Sequence, residues 1–461
     1  MIDSDDKIHD HCGVFGIHAP QEEVGRLTYY GLLALQHRGQ ESAGIASSNN
    51  QHITLHKANG LVDQIFTEEV IHGLSGQVAI GHTRYASDGT SNISHAQPIL
   101  LTSSCGEFAL ALNGNLVNKN QLKKFLLNKG HCLNTCTDSE IIARLIAEAK
   151  GNNFKEKLIN GIPQLKGAFS LVILTTDKLY AVRDQWGVRP LALGKINGKG
   201  WVVASETTAI ESIGAETVRA IKPGEMIELS ETGCNSFHQV INKKTGFCIF
   251  EYVYFSRPDS IMNNCLIHQA RFKAGQLLAK SHPVEADFVI GVPDSGTSSA
   301  LGYSQESKIP FQEGLIKSRY VGRTFIQPTQ RIRNLGVRLK FSPLARVLKD
   351  KKIILIDDSI VRGTTLKQIV QMLKDKGVKE VHLRITSPPF KHPCFLGVDV
   401  SRYKELIANK NTVEGIRKEL GATSLAYLSL EDLKRSIGSK IQFCTGCFTN
   451  HYPVRAETEK D

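Results

Sequence analysis

The segment IILIDDSIVRGTTLKQ, residues 353–368, constrains the fold of this chain more than any other stretch. Its apolar run Ile353–Ile356 ends in Asp357 and Asp358, and Ser359, Arg362, Gly363, Thr364 and Thr365 then lead into helical spacing. Backbone N–H groups at such a turn, together with the helix dipole and the hydroxyls, favour a bound phosphate. The paired carboxylates suit ribose hydroxyls, Mg2+, or both. A simple Asp-Asp helix cap would leave the glycine and threonines unexplained. No G-x-x-x-x-G-K-[ST] is present, so the turn is not a P-loop.

The flanking sequence repeats this rhythm. A helical stretch, Leu266–Ser281, precedes an apolar strand, Asp287–Val292, and then the turn GVPDSGTSSALGYS (291–304) and a further helix. The strand Lys352–Ile356, the helix Thr365–Lys376 and the strand Glu380–Thr386 follow. Such βαβ alternation predicts a parallel sheet with helices on its faces and a ligand site beyond the carboxyl ends of its strands.

Residues 12–231 have a different texture. Strand-like pieces at Cys12–His18, Gln77–Thr83, Glu107–Asn113, Ala168–Leu174 and Trp201–Ala204 are interleaved with helical periodicity at Glu22–His37 and Ser139–Ala149. Without strict alternation, this is an α+β or layered-sandwich pattern. The boundary falls within 232–265, near Thr245, giving units at 12–245 and 246–461.

Composition narrows the function. A chain of 461 residues, 41% hydrophobic and 22% charged, is neither disordered nor fibrous. Its apolar runs fall far short of the ~20 residues of a membrane span. The start, MIDSDDKIHDH, is acidic and lacks the apolar stretch of a secretory signal, so the expected setting is cytoplasmic, with no membrane partner. The net charge of +11 favours an anionic partner. Nucleic acid is disfavoured, because no basic tail or reading module is present. Seven basic residues and no acidic one lie between Lys317 and Lys340, which suits a phosphate-rich small molecule.

Cys12 heads the first strand-like piece, and a lone cysteine there reads either as a core residue or as a nucleophile. The segments LLALQHRGQESAG (32–44), GHTRYAS (81–87), LNGNL (112–116) and TCTDSE (135–140) bear on that choice. Together they resemble the glutamine amidotransferase domain of the N-terminal-nucleophile hydrolases, over roughly residues 12–230. The resemblance implies an αββα sandwich and makes Met1–His11 a propeptide whose removal leaves Cys12 first. Four Asp and one Lys would leave with it, raising the net charge from +11 to +14. The free α-amine, with a pKa near ~8, could then serve as base for its own thiol. By the same resemblance, Arg84 clamps the glutamine carboxylate and Asp138 holds its α-ammonium. Asn113 and the N–H of Gly114 stabilise the oxyanion. The stretch Ser87-Asp88-Gly89 is more charged than in relatives.

The 353–368 pattern resembles the phosphoribosyltransferase fingerprint, whose substrate is 5-phosphoribosyl-1-pyrophosphate (PRPP). Resemblance places pyrophosphate at 291–304, with Ser295 and Gly296, and Mg2+ at Ser295, Asp357 and Asp358. The basic segment 317–340 resembles the loop that closes over PRPP, with Lys317, Arg319, Tyr320, Arg323 and Lys340 as contacts. Ser318 stands where relatives have Asn.

Four of the ten cysteines remain to be placed: the C-x-x-C pair Cys444 and Cys447, Cys248 in GFCIFEYVYFSRPDS, and Cys394 in SPPFKHPCF. Their contexts resemble the [4Fe–4S] ligands of processed amidophosphoribosyltransferases, although four thiolates satisfy tetrahedral Zn2+ as well. Cys105, Cys132, Cys136, Cys234 and Cys265 read as core or incidental thiols.

Joined, the two halves resemble amidophosphoribosyltransferases almost end to end. That family uses glutamine and PRPP as substrates, forms homotetramers and is subject to purine nucleotide inhibitors. A glutaminase with another acceptor is disfavoured by the PRPP fingerprint. A PRPP-sensing regulator is disfavoured by the intact Cys12 set.

Overall fold

Strand Gly13–His18 is buried along its whole length, because its sheet is covered on both faces. Its side chains alternate accordingly. Val14 enters a core shared with Ala46, Ile80, Ala111, Val172 and Val203, whereas Phe15 and Ile17 join Leu32 and Leu35 in a second core. Strand Gly106–Leu116 repeats the pattern in the other sheet. Ala109 and Ala111 face the shared core, and Phe108, Leu110 and Leu112 face Ile141, Ile142 and Leu145. Small residues between the sheets and large ones beneath the helices build an αββα sandwich.

The computed structural model describes residues 12–85, 92–240, 244–318, 338–400, 402–438 and 441–455. Its first sheet is antiparallel, with the spatial order Glu216–Ala220, Ala192–Ile196, Gly200–Ala204, Gly13–His18, Val78–Arg84, Ser42–Ser48, Ile53–Asn59. The second runs Gly233–Gln239, Glu225–Ser230, Leu179–Arg183, Gly167–Thr175, Gly106–Leu116, Ile99–Ser103.

After Gln239 the next element, Phe247–Cys248, pairs in parallel with Phe443–Cys444 near the other end of the chain. A four-stranded parallel sheet follows, ordered Phe288–Gly291, Lys352–Asp357, Glu380–Ile385, Ser424–Tyr427. Ile353 and Leu355 face the helix Thr364–Asp375 through Leu366, Ile369 and Leu373. Ile354 and Ile356 face the helices Ile267–Ser281 and Thr297–Ser307 through Ala270, Ala274 and Tyr303. Helices therefore cover both faces, as the βαβ rhythm requires.

Every strand and helix expected from the sequence is present within one to three residues, except that Glu22–His37 divides. It becomes the helix Val24–Ala34 and a short turn of helix at Gln36–Arg38. Strand Ser42–Ser48 was not expected, since SAGIASS offers small and hydroxyl side chains instead of an apolar alternation, yet all seven residues are buried. No helix among the described residues is long and apolar enough to cross a membrane.

Candidate active sites

The antiparallel register brings the first set of residues together. Gly13 lies opposite Thr83, so Cys12 and Arg84 fall side by side at neighbouring strand ends. Cys12 is buried, with φ 76°, in the left-handed region that non-glycine residues seldom occupy. The Val14 N–H donates to Ser205 Oγ at 3.0 Å, tying this strand end to the neighbouring sheet residue. Arg84 is buried, with Nη2 3.5 Å from His95 Nδ1. Ser87-Asp88-Gly89 lies outside the described residues.

Asn113 and Gly114 sit where Gly106–Leu116 has lost one neighbour. Its partner Ile99–Ser103 reaches only Leu110, while Gly167–Thr175 continues alongside to Leu116. Beyond Leu110 one edge is therefore open. On that edge the Leu112 N–H donates to Gln97 Oε1 at 2.7 Å, and the Leu116 N–H donates to Asp138 Oδ2 at 2.9 Å. Alternation along a strand directs the intervening Gly114 N–H to the same edge. Gly114 has φ 144°, and a Cβ there would lie 2.0 Å from Ala168 O, so glycine is required. The Asn113 side chain is fully buried, and among the described residues neither its Oδ1 nor its Nδ2 has a hydrogen-bond partner. Such an orphaned amide calls for a ligand or a functional explanation. Asp138 opens the helix Asp138–Glu148, capped by Thr137, and the Lys119 ammonium lies 3.1 Å from its Oδ1.

The second set lies at the carboxyl ends of the parallel strands. Asp357 and Asp358 are buried. Ser295 Oγ donates to Asp358 Oδ2 at 2.5 Å and Ser359 Oγ to Asp358 Oδ1 at 2.6 Å. The Asp358 N–H donates to Asp357 Oδ1 at 2.9 Å. The helix N-cap is Gly363, with φ 82°, so the carboxylates are not the cap. A Cβ at Gly363 would meet Ile407 Cδ1 at 2.8 Å. Gly296 caps Thr297–Ser307, placing a second helix N-terminus beside the first. Thr364 and Thr365 occupy the first turn of Thr364–Asp375. Arg362 donates to Glu405 Oε2 at 2.7 Å. Lys317 pairs with Asp294, and Lys340 lies over the Phe341 ring. Arg319, Tyr320 and Arg323 lie outside the described residues.

A model of the glutamine amidotransferase domain matches residues 82–212, and one of the phosphoribosyl transferase domain matches residues 263–387. The amidophosphoribosyltransferase of Synechococcus elongatus is 47% identical, over 99% of this chain and 94% of that protein. That of Bacillus subtilis is 45% identical, over 97% and 95%. The solved structure of glutamine PRPP amidotransferase from B. subtilis, complexed with ADP and GMP, superposes with a TM-score of 0.92 at 45% identity, covering 97% of this chain and 98% of that one. The chain belongs to the amidophosphoribosyltransferase family.

Amidophosphoribosyltransferases are glutamine-dependent pentosyltransferases, and this chain transfers ammonia from glutamine to PRPP, giving 5-phosphoribosylamine, glutamate and pyrophosphate at the start of purine biosynthesis. Two further features lie outside these two sets of residues. One is the set of four cysteines. Cys248 and Cys444 are register partners, and Cys447 follows one turn later. Burial pushes the Cys444 thiol up to about 12, and Cys394 adds to that shift. Burial also raises Cys447, with further contributions from Cys444, Cys248 and Cys394. The cysteines lie in surroundings that include Phe250, Phe390, Phe448 and Tyr452. Among the described residues, no group of three or more His, Cys, Asp or Glu is arranged to hold a metal ion. Of the remaining cysteines, Cys105, Cys234 and Cys265 are half-buried against the cores, Cys136 is half-buried and Cys132 is exposed.

The other feature was not visible in the sequence. Arg38, at the end of the QHR turn, donates from Nε to Glu206 Oε1 and from Nη2 to Glu251 Oε2, both at 2.5 Å. Arg189 Nη1 lies 3.7 Å from Glu251 Oε1. All four side chains are inaccessible to solvent. Burial would raise the Glu206 carboxyl, but Arg38 and His37 outweigh it and hold the group below its ordinary value. Nothing at positions 38, 189, 206 and 251 marks them as partners, since three are scattered along the first unit and Glu251 lies in the second.

Proposed function

We propose that glutamine is hydrolysed along the open edge of Gly106–Leu116, and the observation that carries this is the placement of the Gly114 N–H between Gln97 and Asp138. A substrate lying on that edge would set its α-ammonium against Asp138, a carboxylate that already receives the Lys119 ammonium. Its carboxylate would meet Arg84, and its amide oxygen the Gly114 N–H and the unpartnered amide of Asn113. Removal of residues 1–11 makes the Cys12 amine the base for the Cys12 thiol, which attacks the amide carbon. The two donors then stabilise the developing oxyanion.

PRPP binds in the second pocket. The N–H groups and hydroxyls of Ser359, Gly363, Thr364 and Thr365, with Arg362 alongside, hold its 5-phosphate. Ser295 and Gly296 hold its pyrophosphate, and Lys317, Arg319, Tyr320, Arg323 and Lys340 cover it. Ser295, Asp357 and Asp358 are the proposed Mg2+ site, and their oxygen donors fit a hard cation. When bound, Mg2+ neutralises pyrophosphate charge; the chain's own part is to orient the ribose and exclude water. Purine nucleotides, such as those in the B. subtilis complex, are the proposed inhibitors.

Cys248, Cys394, Cys444 and Cys447 are proposed to hold a [4Fe–4S] cluster with a structural role. Four thiols in apolar surroundings suit a group that supplies the missing positive charge. The loop after Cys394 also reaches the glutaminase half: Asn115 Nδ2 donates to Phe395 O at 3.0 Å and Arg189 Nε to Leu396 O at 3.2 Å. The unit boundary near Thr245, a homotetramer and a cytoplasmic setting complete the proposal.

The test is glutamate release by anaerobically purified protein, with and without PRPP and Mg2+. Release that rises with PRPP, together with pyrophosphate formation and an intact mass starting at Cys12, is the expected result. Full activity in a chain retaining Met1 would overturn the base assignment. Zinc in place of iron and acid-labile sulfide would overturn the cluster.

A further inference from the structure

The open edge raises a physical difficulty. A strand edge that loses its neighbour leaves N–H and C=O groups unpaired, so nothing on that side fixes the backbone. At Leu112, the residue before Asn113, two side chains take the place of the missing strand. Gln97 Oε1 accepts from the Leu112 N–H at 2.7 Å, and His82 Nε2 lies 3.1 Å from Leu112 O. The carbonyl can only accept, so Nε2 carries the proton, and burial keeps the imidazole neutral, pushing its pKa down to about 3. Its lone pair is then on Nδ1, which is buried without a hydrogen-bond partner among the described residues. Leaving such an acceptor unsatisfied costs free energy that an apolar side chain would avoid. His82 also lies in the strand Val78–Arg84, two residues before Arg84.

We propose that His82 and Gln97 are positioning residues for glutamine hydrolysis: by holding both backbone groups of Leu112, they fix the oxyanion donors Asn113 and Gly114. Neither touches substrate. The inference rests on the assignment of Asn113 and Gly114 to the oxyanion, and the two can fail separately.

The experiment compares the whole enzyme with His82→Leu, His82→Gln, Gln97→Leu and Asn113→Ala variants, and with the His82→Leu/Asn113→Ala pair. Each is assayed with glutamine and, at the other pocket, with ammonia. His82→Leu should lower kcat for glutamine about tenfold to a hundredfold, within the range for weakening an oxyanion hole. KM for glutamine should stay within about threefold, the ammonia-dependent rate within about twofold, and alkylation of Cys12 by iodoacetamide should be unchanged. His82→Gln, which keeps an N–H donor, should recover most of the loss, and Gln97→Leu should resemble His82→Leu. Adding His82→Leu to Asn113→Ala should have little further effect, since both act on one element. An unchanged kcat in His82→Leu, an equal loss of the ammonia-dependent rate, or full additivity with Asn113→Ala would overturn the proposal. A fully active Asn113→Ala would instead remove the oxyanion assignment itself.

Discussion

The proposed glutamine site and the proposed PRPP site are framed by different kinds of backbone. In the first, Asn113 and Gly114 lie inside an eleven-residue strand, and Cys12 and Arg84 stand at the ends of adjacent paired strands. In the second, Ser295, Ser359 and Gly363 lie in turns after strands. A strand interior holds donors at fixed spacing, which suits an oxyanion whose position varies little. Turns expose many N–H groups to one anion, which suits a polyphosphate. Chemistry that needs one exact distance is thus built on ladders, and chemistry that needs many donors on turns.

The widest separation between the pockets should come from Cys12→Ala. Loss of the nucleophile should lower glutamine-dependent phosphoribosylamine formation by about 10^4-fold. The ammonia-dependent rate should stay within about twofold, read as pyrophosphate release with each nitrogen donor. Equal losses with both donors would mean that the pockets are not separable.

Next in size is the ion cluster that joins the halves. Arg38→Met would leave Glu206 and Glu251 short of a buried partner, and breaking such a pair costs about 3–5 kcal/mol. Urea unfolding at pH 7 should show it. The pH dependence follows from the sign of the shift. Glu206 is held below its ordinary 4.5, so it stabilises the wild type above that pH, and the contribution is lost as pH falls through the folded value. In Arg38→Met most of that lowering is lost, so the difference between the two proteins should begin to shrink below pH 4.5 and keep shrinking as pH falls toward the wild-type folded value. A difference independent of pH would place the loss in packing instead of charge.

This cluster marks the limit of what the sequence shows. The second pocket was legible from elementary physics, because a strand, two carboxylates and a glycine turn stand in sixteen consecutive residues. In the first pocket, Cys12, Arg84, Asn113 and Asp138 are scattered over more than a hundred residues, and only family motifs connected them. The open edge was not legible at all: it depends on where Ile99–Ser103 stops, and on Gln97 and His82 reaching Leu112. Likewise, strand Ser42–Ser48 is buried by two sheets that its own small side chains do not announce.

Asp358→Asn should then test whether turns are the more tolerant frame. Removing one charge from the carboxylate pair should lower the rate about 10^2- to 10^3-fold with glutamine and with ammonia alike, as expected for a lost electrostatic contact at the reacting centre. A loss confined to glutamine would move Asp358 out of the PRPP pocket. Parallel titrations of Mg2+ should show a higher requirement in the variant.

The smallest effect separates two accounts of Ser295. Its Oγ donates to Asp358 Oδ2, while Ser359 Oγ holds the other oxygen, Oδ1. In Ser295→Ala the carboxylate keeps Ser359 and loses one hydrogen bond, worth about 1 kcal/mol. If Ser295 only orients Asp358, KM for PRPP should rise about fivefold with either donor while kcat holds. If its oxygen belongs to the cation's own coordination, the rise should be largely reversed by excess Mg2+. A turn that loses one of many donors should still bind its anion, whereas a strand that loses the Asn113 amide keeps only the Gly114 N–H. The ratio of the Asn113→Ala loss in kcat to the Ser295→Ala rise in KM therefore measures the contrast directly. A ratio near one would mean that ladders and turns are equally forgiving here.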